Sequence, residues 1–135
     1  MKKVELILKG RKYESFTISG ASDAVSFFRK IWPSDIEIRE RFFVLYLNNK
    51  HETIGFFEAA VGGPASCLVP VQQILQAALL LNAQAFITCH NHPSGTLKVS
   101  EPDKKVAKKL EKLADLHDMN LLDNLIITKD SYEAY

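Results

Sequence analysis

The chain has 135 residues, 47% hydrophobic and 24% charged, which suits one packed core, is short for two ordinary domains and is too apolar for a disordered chain. Its formal net charge of +1 offers no general attraction to nucleic acid or to an anionic membrane. No apolar run approaches the ~18 residues a membrane helix needs, and Met1-Lys2-Lys3-Val4 leads into a short amphipathic stretch rather than a signal peptide. A cytoplasmic location is therefore expected. Cys67 and Cys89 suit a reducing compartment and provide no disulfide framework.

In chain order, Val4 to Leu8 and Tyr13 to Ile18 read as short strands joined by a turn at Gly10. Ser22 is placed to cap a helix running through Trp32, with Val25, Phe28 and Trp32 on one face and Pro33-Ser34 as the stop. Residues 1 to 38 are thus expected as a hairpin and helix, either integral to one domain of 1 to 135 or a small appended piece. Phe42 to Asn48 and Thr53 to Val61 read as a hairpin around the polar turn Asn49 to Glu52. Gly62-Gly63-Pro64-Ala65-Ser66 is a loop. Val71 to Asn82 is apolar enough for a largely buried helix, Ala85 to Cys89 reads as a buried strand, Glu101 to His117 as a helix with Val106, Leu110 and Leu113 inward, and Leu121 to Thr128 as a last strand. This alternation predicts an α/β or α+β sandwich with a mixed sheet covered by helices.

The segment Thr88 to Asp103, TCHNHPSGTLKVSEPD, carries the chemistry. Residues i and i+2 of a strand face the same way, so His90 and His92 can aim both imidazoles at one point while Pro93-Ser94-Gly95 turns the chain out of the sheet. Ser100-Glu101-Pro102-Asp103 has the composition of a helix start, which puts the Asp103 carboxylate in a first turn able to reach back to the strand end. Each piece has a plainer explanation: an incidental His-x-His, and a helix cap. Together they form two imidazoles and one carboxylate with a fourth position open, the ligand set of a catalytic zinc site. Strand alternation turns Cys89 to the opposite face, as a buried structural thiol. A base is also needed, and Glu37, Glu40, Glu52 and Glu58 are equal candidates on periodicity.

His90-x-His92, seven residues, Ser100, two residues, Asp103 resembles the JAMM motif of the JAB/MPN metalloprotease superfamily. HNHPSG at 90 to 95 and LLDNLIIT at 121 to 128 resemble its bacterial RadC branch, and the similarity runs from about Arg39 to Tyr132. The resemblance implies a JAB/MPN-like (cytidine deaminase-like) fold over 39 to 132, Zn²⁺ on His90, His92 and Asp103, and hydrolysis of a peptide or isopeptide bond in a peptide or protein substrate. It selects Glu40, in Arg39-Glu40-Arg41-Phe42, as the proton acceptor, with Glu58 as the fallback, and gives Ser100 the role of oxyanion donor. Two stretches depart from the RadC pattern: Val69-Pro70-Val71-Gln72-Gln73 stands where His-Pro-Arg-Glu is common, and Leu121-Leu122-Asp123-Asn124 where Leu-Leu-Asp-His is usual. Residues 1 to 38 lack the helix-hairpin-helix pattern of longer members, so nucleic-acid binding is not inherited from the family name.

Competing classes are an interaction module that keeps the fold without turnover, or a DNA-associated accessory protein, and a nuclease suggested by the spelling His-Asn-His. Intact ligands favour the enzyme, and nucleases of that spelling spread the three residues over a ββα unit. The lysines at 104, 105, 108, 109 and 112 are interleaved with acids and read as a solvated face. His51 in a turn and His117 at a helix end need no function. Phe42-Phe43 and Phe56-Phe57 leave a homo-oligomer open, although core packing explains them as well.

Overall fold

The structure, a computed structural model, describes residues 1–62 and 68–135. Most of the expected loop at 62–66, and Cys67, lie outside the described residues. The described residues form β1 (Arg41–Leu47), β2 (Thr53–Val61), β3 (Ala85–Asn91), β4 (Asn120–Ile127) and β5 (Tyr132–Ala134), with helices α1 (Ala21–Ile31), α2 (Val71–Leu80) and α3 (Glu101–Leu116). The strands make one mixed sheet in the order β2-β1-β3-β4-β5. Only β3 and β4 run parallel, as their link through α3 requires.

Strand alternation builds a core on each face of this sheet. Phe43, Leu45 and Leu47 of β1, with Ala85, Ile87 and Cys89 of β3, pack against Ala24, Val25 and Phe28 of α1. Phe42, Val44 and Tyr46, with Phe86, pack instead against Ile74 and Ala78 of α2 and Leu110 and Ala114 of α3. The result is the expected helix–sheet–helix sandwich, an α+β fold consistent with JAB/MPN. Because both faces are covered, β1 and β3 read as continuous apolar runs. At ~1.5–3 kcal/mol for each large side chain removed from water, these two layers dominate the stability of the fold.

Two expectations are corrected. Val4 to Leu8 and Tyr13 to Ile18 are not strands: the first has no regular structure, and Val4, Leu6 and Leu8 are exposed. An apolar stretch needs a partner ladder to become a strand, and among the described residues none forms along Val4 to Leu8. In the second stretch, Thr17 makes a lone bridge to Glu52, while Thr53 exchanges bonds with Phe16, donating N–H to its carbonyl at 2.9 Å and accepting its N–H on Oγ1 at 3.0 Å. Ser22 does not cap α1; it lies inside the helix, and Gly20 occupies the cap position with no side-chain bond. Asp23 instead ties the preceding segment to the first turn by accepting the Ser19 N–H at 2.8 Å, while its own N–H donates to the Gly20 carbonyl at 3.2 Å. The end of α1 is as expected, with Trp32 extended before Pro33 and packed on Phe43 at 4.7 Å between ring centroids. The structure adds β5, three exposed residues too short to carry a periodic signal.

Both stretches that depart from the RadC pattern are accommodated locally. Pro70 takes the cap position of α2, leaving Gln72 and Gln73 exposed on its first turn. Asn124 is buried and accepts the Thr88 hydroxyl at 2.7 Å.

Candidate metal centre

The cluster sits at the C-terminal end of β3, whose last residues, His90 and Asn91, are still buried. His90 lies on the α2/α3 face, 2% exposed, with its ring stacked on Phe42 at 5.9 Å and edge-on to Tyr135 at 6.2 Å. Cys89 is fully buried on the α1 face, and burial pushes its thiol well up against a weaker pull from Arg29. The parallel crossover through α3 returns the helix start to the same point. Ser100 caps α3 in a reciprocal box: its hydroxyl oxygen accepts the Asp103 N–H at 3.1 Å, and the Asp103 carboxylate accepts the Ser100 N–H at 3.0 Å. A capping aspartate is thereby locked facing the histidines.

His90 Nε2 and His92 Nε2 are 3.0 Å apart, and each is 3.3 Å from an oxygen of Asp103. Tetrahedral coordination at zinc's usual bond lengths of ~2.0–2.1 Å places ligand atoms about 3.3 Å from one another. His90 meets Oδ1 of Asp103 and His92 meets Oδ2, so each nitrogen–oxygen pair has the spacing of two ligands on one zinc ion, with the carboxylate spanning the two rings. His92 Nδ1 lies 3.0 Å from the Thr96 carbonyl, which can only accept, so the neutral ring carries its proton on Nδ1 and presents a lone pair at Nε2. That is the tautomer a metal needs. His90 is steered by ring packing instead, since its buried Nδ1 has no hydrogen-bond partner among the described residues.

The electrostatics agree with a cation site. Burial pushes the Asp103 carboxyl up, but hydrogen bonds from His90 and His92 outweigh it and hold the group well below the carboxylate range. His92 is raised by its bond to Asp103 and by the Thr96 carbonyl, against the opposing effect of burial. Glu40 joins the cluster, with a ligand-type atom of each of the four residues within 4.8 Å of the others. It stands further back than Asp103, making no ion pair with either imidazole. Desolvation raises its pKa, partly offset by the two histidines and reinforced by Asp103.

The structure thus brings His90, His92, Asp103 and Glu40 together and puts Ser100 beside them. The other glutamates are engaged elsewhere: Glu37 faces Lys129 at 3.7 Å, Glu52 accepts from Asn48 at 2.7 Å, and Glu58, the fallback, pairs with Arg41 at 3.0 Å. Asn91 points away from the cluster, toward Ile36, Arg39 and Arg41, so a shared His-Asn-His site is not formed. Sequence reasoning, which ended the buried strand at Cys89, gave Asn91 no part in the site. Full burial of an amide beside two candidate ligands was the signal, and it is visible only once β3 is known to extend to residue 91. Beside His92 a cavity of about 320 Å³ opens between Ile36, Pro93, Leu97 and Thr128, edged by Glu37 and Lys129.

A mixed sheet between one helix and two, with His-x-His on a strand end facing a capping aspartate, defines a JAB-type domain. A family model described as the RadC-like JAB domain matches residues 18–135, and the chain belongs to that family. It is 38% identical over 96 residues to a UPF0758 protein of Flavobacterium johnsoniae, covering 71% of this chain and 42% of that one. With a UPF0758 protein of Chlorobaculum parvum it shares 35% over 118 residues, covering 87% and 52%. The chain therefore spans about half the length of the curated relatives it matches. Among the described residues no helix is long and apolar enough to cross a membrane.

Proposed function

We propose that this chain is a zinc-dependent hydrolase of the JAMM type that cleaves a peptide or isopeptide bond. The observation that carries the reading is the convergence of His90, His92 and Asp103, whose two nitrogens lie 3.0 Å apart and each 3.3 Å from one of the two carboxylate oxygens, with Glu40 in the same cluster. His90, His92 and Asp103 would hold the ion. Zinc there would lower the pKa of a bound water to about 7 and polarise a substrate carbonyl.

The remaining work falls to the chain's own groups. Glu40, its pKa raised by burial, is suited to accept a proton from the attacking water and return it to the leaving amine. Ser100 accepts the Asp103 N–H through its oxygen, which leaves its own O–H free to donate to a developing oxyanion. The cavity beside His92 offers an extended peptide a place to lie. A catalytically silent scaffold would have no use for a base beside an intact ligand set.

Glu40→Gln and His92→Ala separate the roles. Glu40→Gln is expected to keep zinc and to lose about 10²–10⁴-fold in hydrolysis of generic peptides or ubiquitin-like fusions, and His92→Ala to lose the metal. Full zinc occupancy of His92→Ala, measured by elemental analysis, would refute the site.

A further inference from the structure

Glu40 precedes β1, and among the described residues no partner within hydrogen-bond distance fixes its carboxylate. Its backbone is fixed. The Glu40 carbonyl accepts the Gly62 N–H at 2.8 Å, and the peptide groups on either side are held by one side chain, that of Asn91. Asn91 is fully buried, donates from Nδ2 to the Ile36 carbonyl at 2.7 Å and the Arg39 carbonyl at 2.8 Å, and accepts the Arg41 N–H on Oδ1 at 2.7 Å. Both donors of the amide are used, together with its acceptor. No other residue type of that size offers two donors and an acceptor in one plane.

Asn91 also sits between His90 and His92. By strand alternation the tripeptide presents its imidazoles on one face and this clasp on the other. We infer that Asn91 is a positioning residue that registers Glu40 against the metal ligands. The inference rests on the hydrolase reading and deepens it. It explains why a base on an irregular segment keeps a fixed place: its distance from the histidines is set by the residue between them. A base displaced by ~1 Å loses on the order of 10²-fold in rate.

The test compares the full chain as wild type, Asn91→Ala, Glu40→Gln and the double variant, each loaded with Co²⁺. Asn91→Ala is expected to bind equimolar Co²⁺, to change the visible ligand-field bands as Glu40→Gln does, and to add nothing to the Glu40→Gln spectrum in the double variant. On a generic peptide its kcat should fall about 10²-fold with KM little changed, again without a further fall in the double variant. A wild-type spectrum in Asn91→Ala, or additive effects, would overturn the inference, because a purely structural residue gives those results. Should Asn91→Ala fail to fold, hydrogen exchange on the wild-type chain decides. The Arg41 N–H is expected to be protected like the β3 amides, and exchange at loop rates would overturn the clasp. A wild-type chain that binds no Co²⁺ refutes the hydrolase reading instead, and the exchange result then judges the clasp alone.

Discussion

Asp103 has two jobs in the structure, helix cap and candidate ligand, and replacing it by Asn and by Ala pulls them apart. Without metal, Asp103→Ala removes the carboxylate that accepts the Ser100 N–H and the negative charge in the first turn of α3. Loss of this one hydrogen bond of the capping box costs ~0.5–1.5 kcal/mol, and loss of the charge at a helix N-terminus a further ~0.3–1 kcal/mol. Asp103→Asn keeps an acceptor oxygen for Ser100 and should lose the charge contribution at the helix start and, at pH values where His92 is protonated, the attraction to that imidazole. With zinc a second loss of comparable size is added. At free zinc of 100 times the dissociation constant the wild type gains about 2.7 kcal/mol, and a variant binding only 100-fold more weakly gains about 0.4 kcal/mol. Changes outside the ligand shell already weaken zinc binding by ~10–100-fold, so both variants should lose almost the whole zinc increment. Denaturant melts with chelator and with buffered zinc measure both quantities. If Asp103→Asn kept the wild-type zinc increment, Asp103 would be a cap and the ligand assignment would fail.

Three further outcomes follow from the electrostatics and packing. The His92 pKa is raised, chiefly by its bond to Asp103, so in the metal-free protein the stabilisation is fully present below the unfolded value of about 6.5 and is lost as pH rises through the folded one. Zinc binding has the opposite sign, because protons compete for the same nitrogens, so melts at about pH 5.5 and 8.5 with and without zinc should show crossing trends, and parallel trends would count against the site. Thr88→Val leaves the Asn124 amide oxygen without its 2.7 Å donor in a buried place, and should cost about 1–3 kcal/mol in urea unfolding; a loss below about 0.5 kcal/mol would mean that the pair is not satisfied as described. With Cys67 replaced by Ser, Cys89, buried with a raised pKa, should resist an aromatic disulfide reagent until the chain unfolds, and prompt labelling in the native state would contradict its packing.

Much of the scaffold was legible because it rests on local patterns. The apolar runs at β1 and β3, the inward stripe of α3 and the Ser100 cap each declare themselves within a few residues. The errors lie where a pattern needed a distant partner. Val4 to Leu8 is apolar enough for a strand, yet it stays exposed because no strand among the described residues completes its hydrogen bonds. Ser22 is a good capping residue placed two positions too late, since the packing of Ala24, Val25 and Phe28 against the sheet sets where α1 begins.

The same division runs through the site. The spacing of His90, His92, Ser100 and Asp103 by itself determined a strand end and a helix start carrying two imidazoles and a carboxylate, because side-chain direction along a strand and capping at a helix are consequences of the local backbone. Which glutamate joins them was not local. Glu40 and His90 are separated by β1, β2, α2 and most of β3, and only the antiparallel pairing of β1 with β3 sets Phe42 opposite His90 and so brings Glu40 to the cluster. Asn91 was hidden for the same reason: its three partners lie 50 to 55 residues away, and a buried amide shows its purpose only when the backbone it satisfies has folded around it.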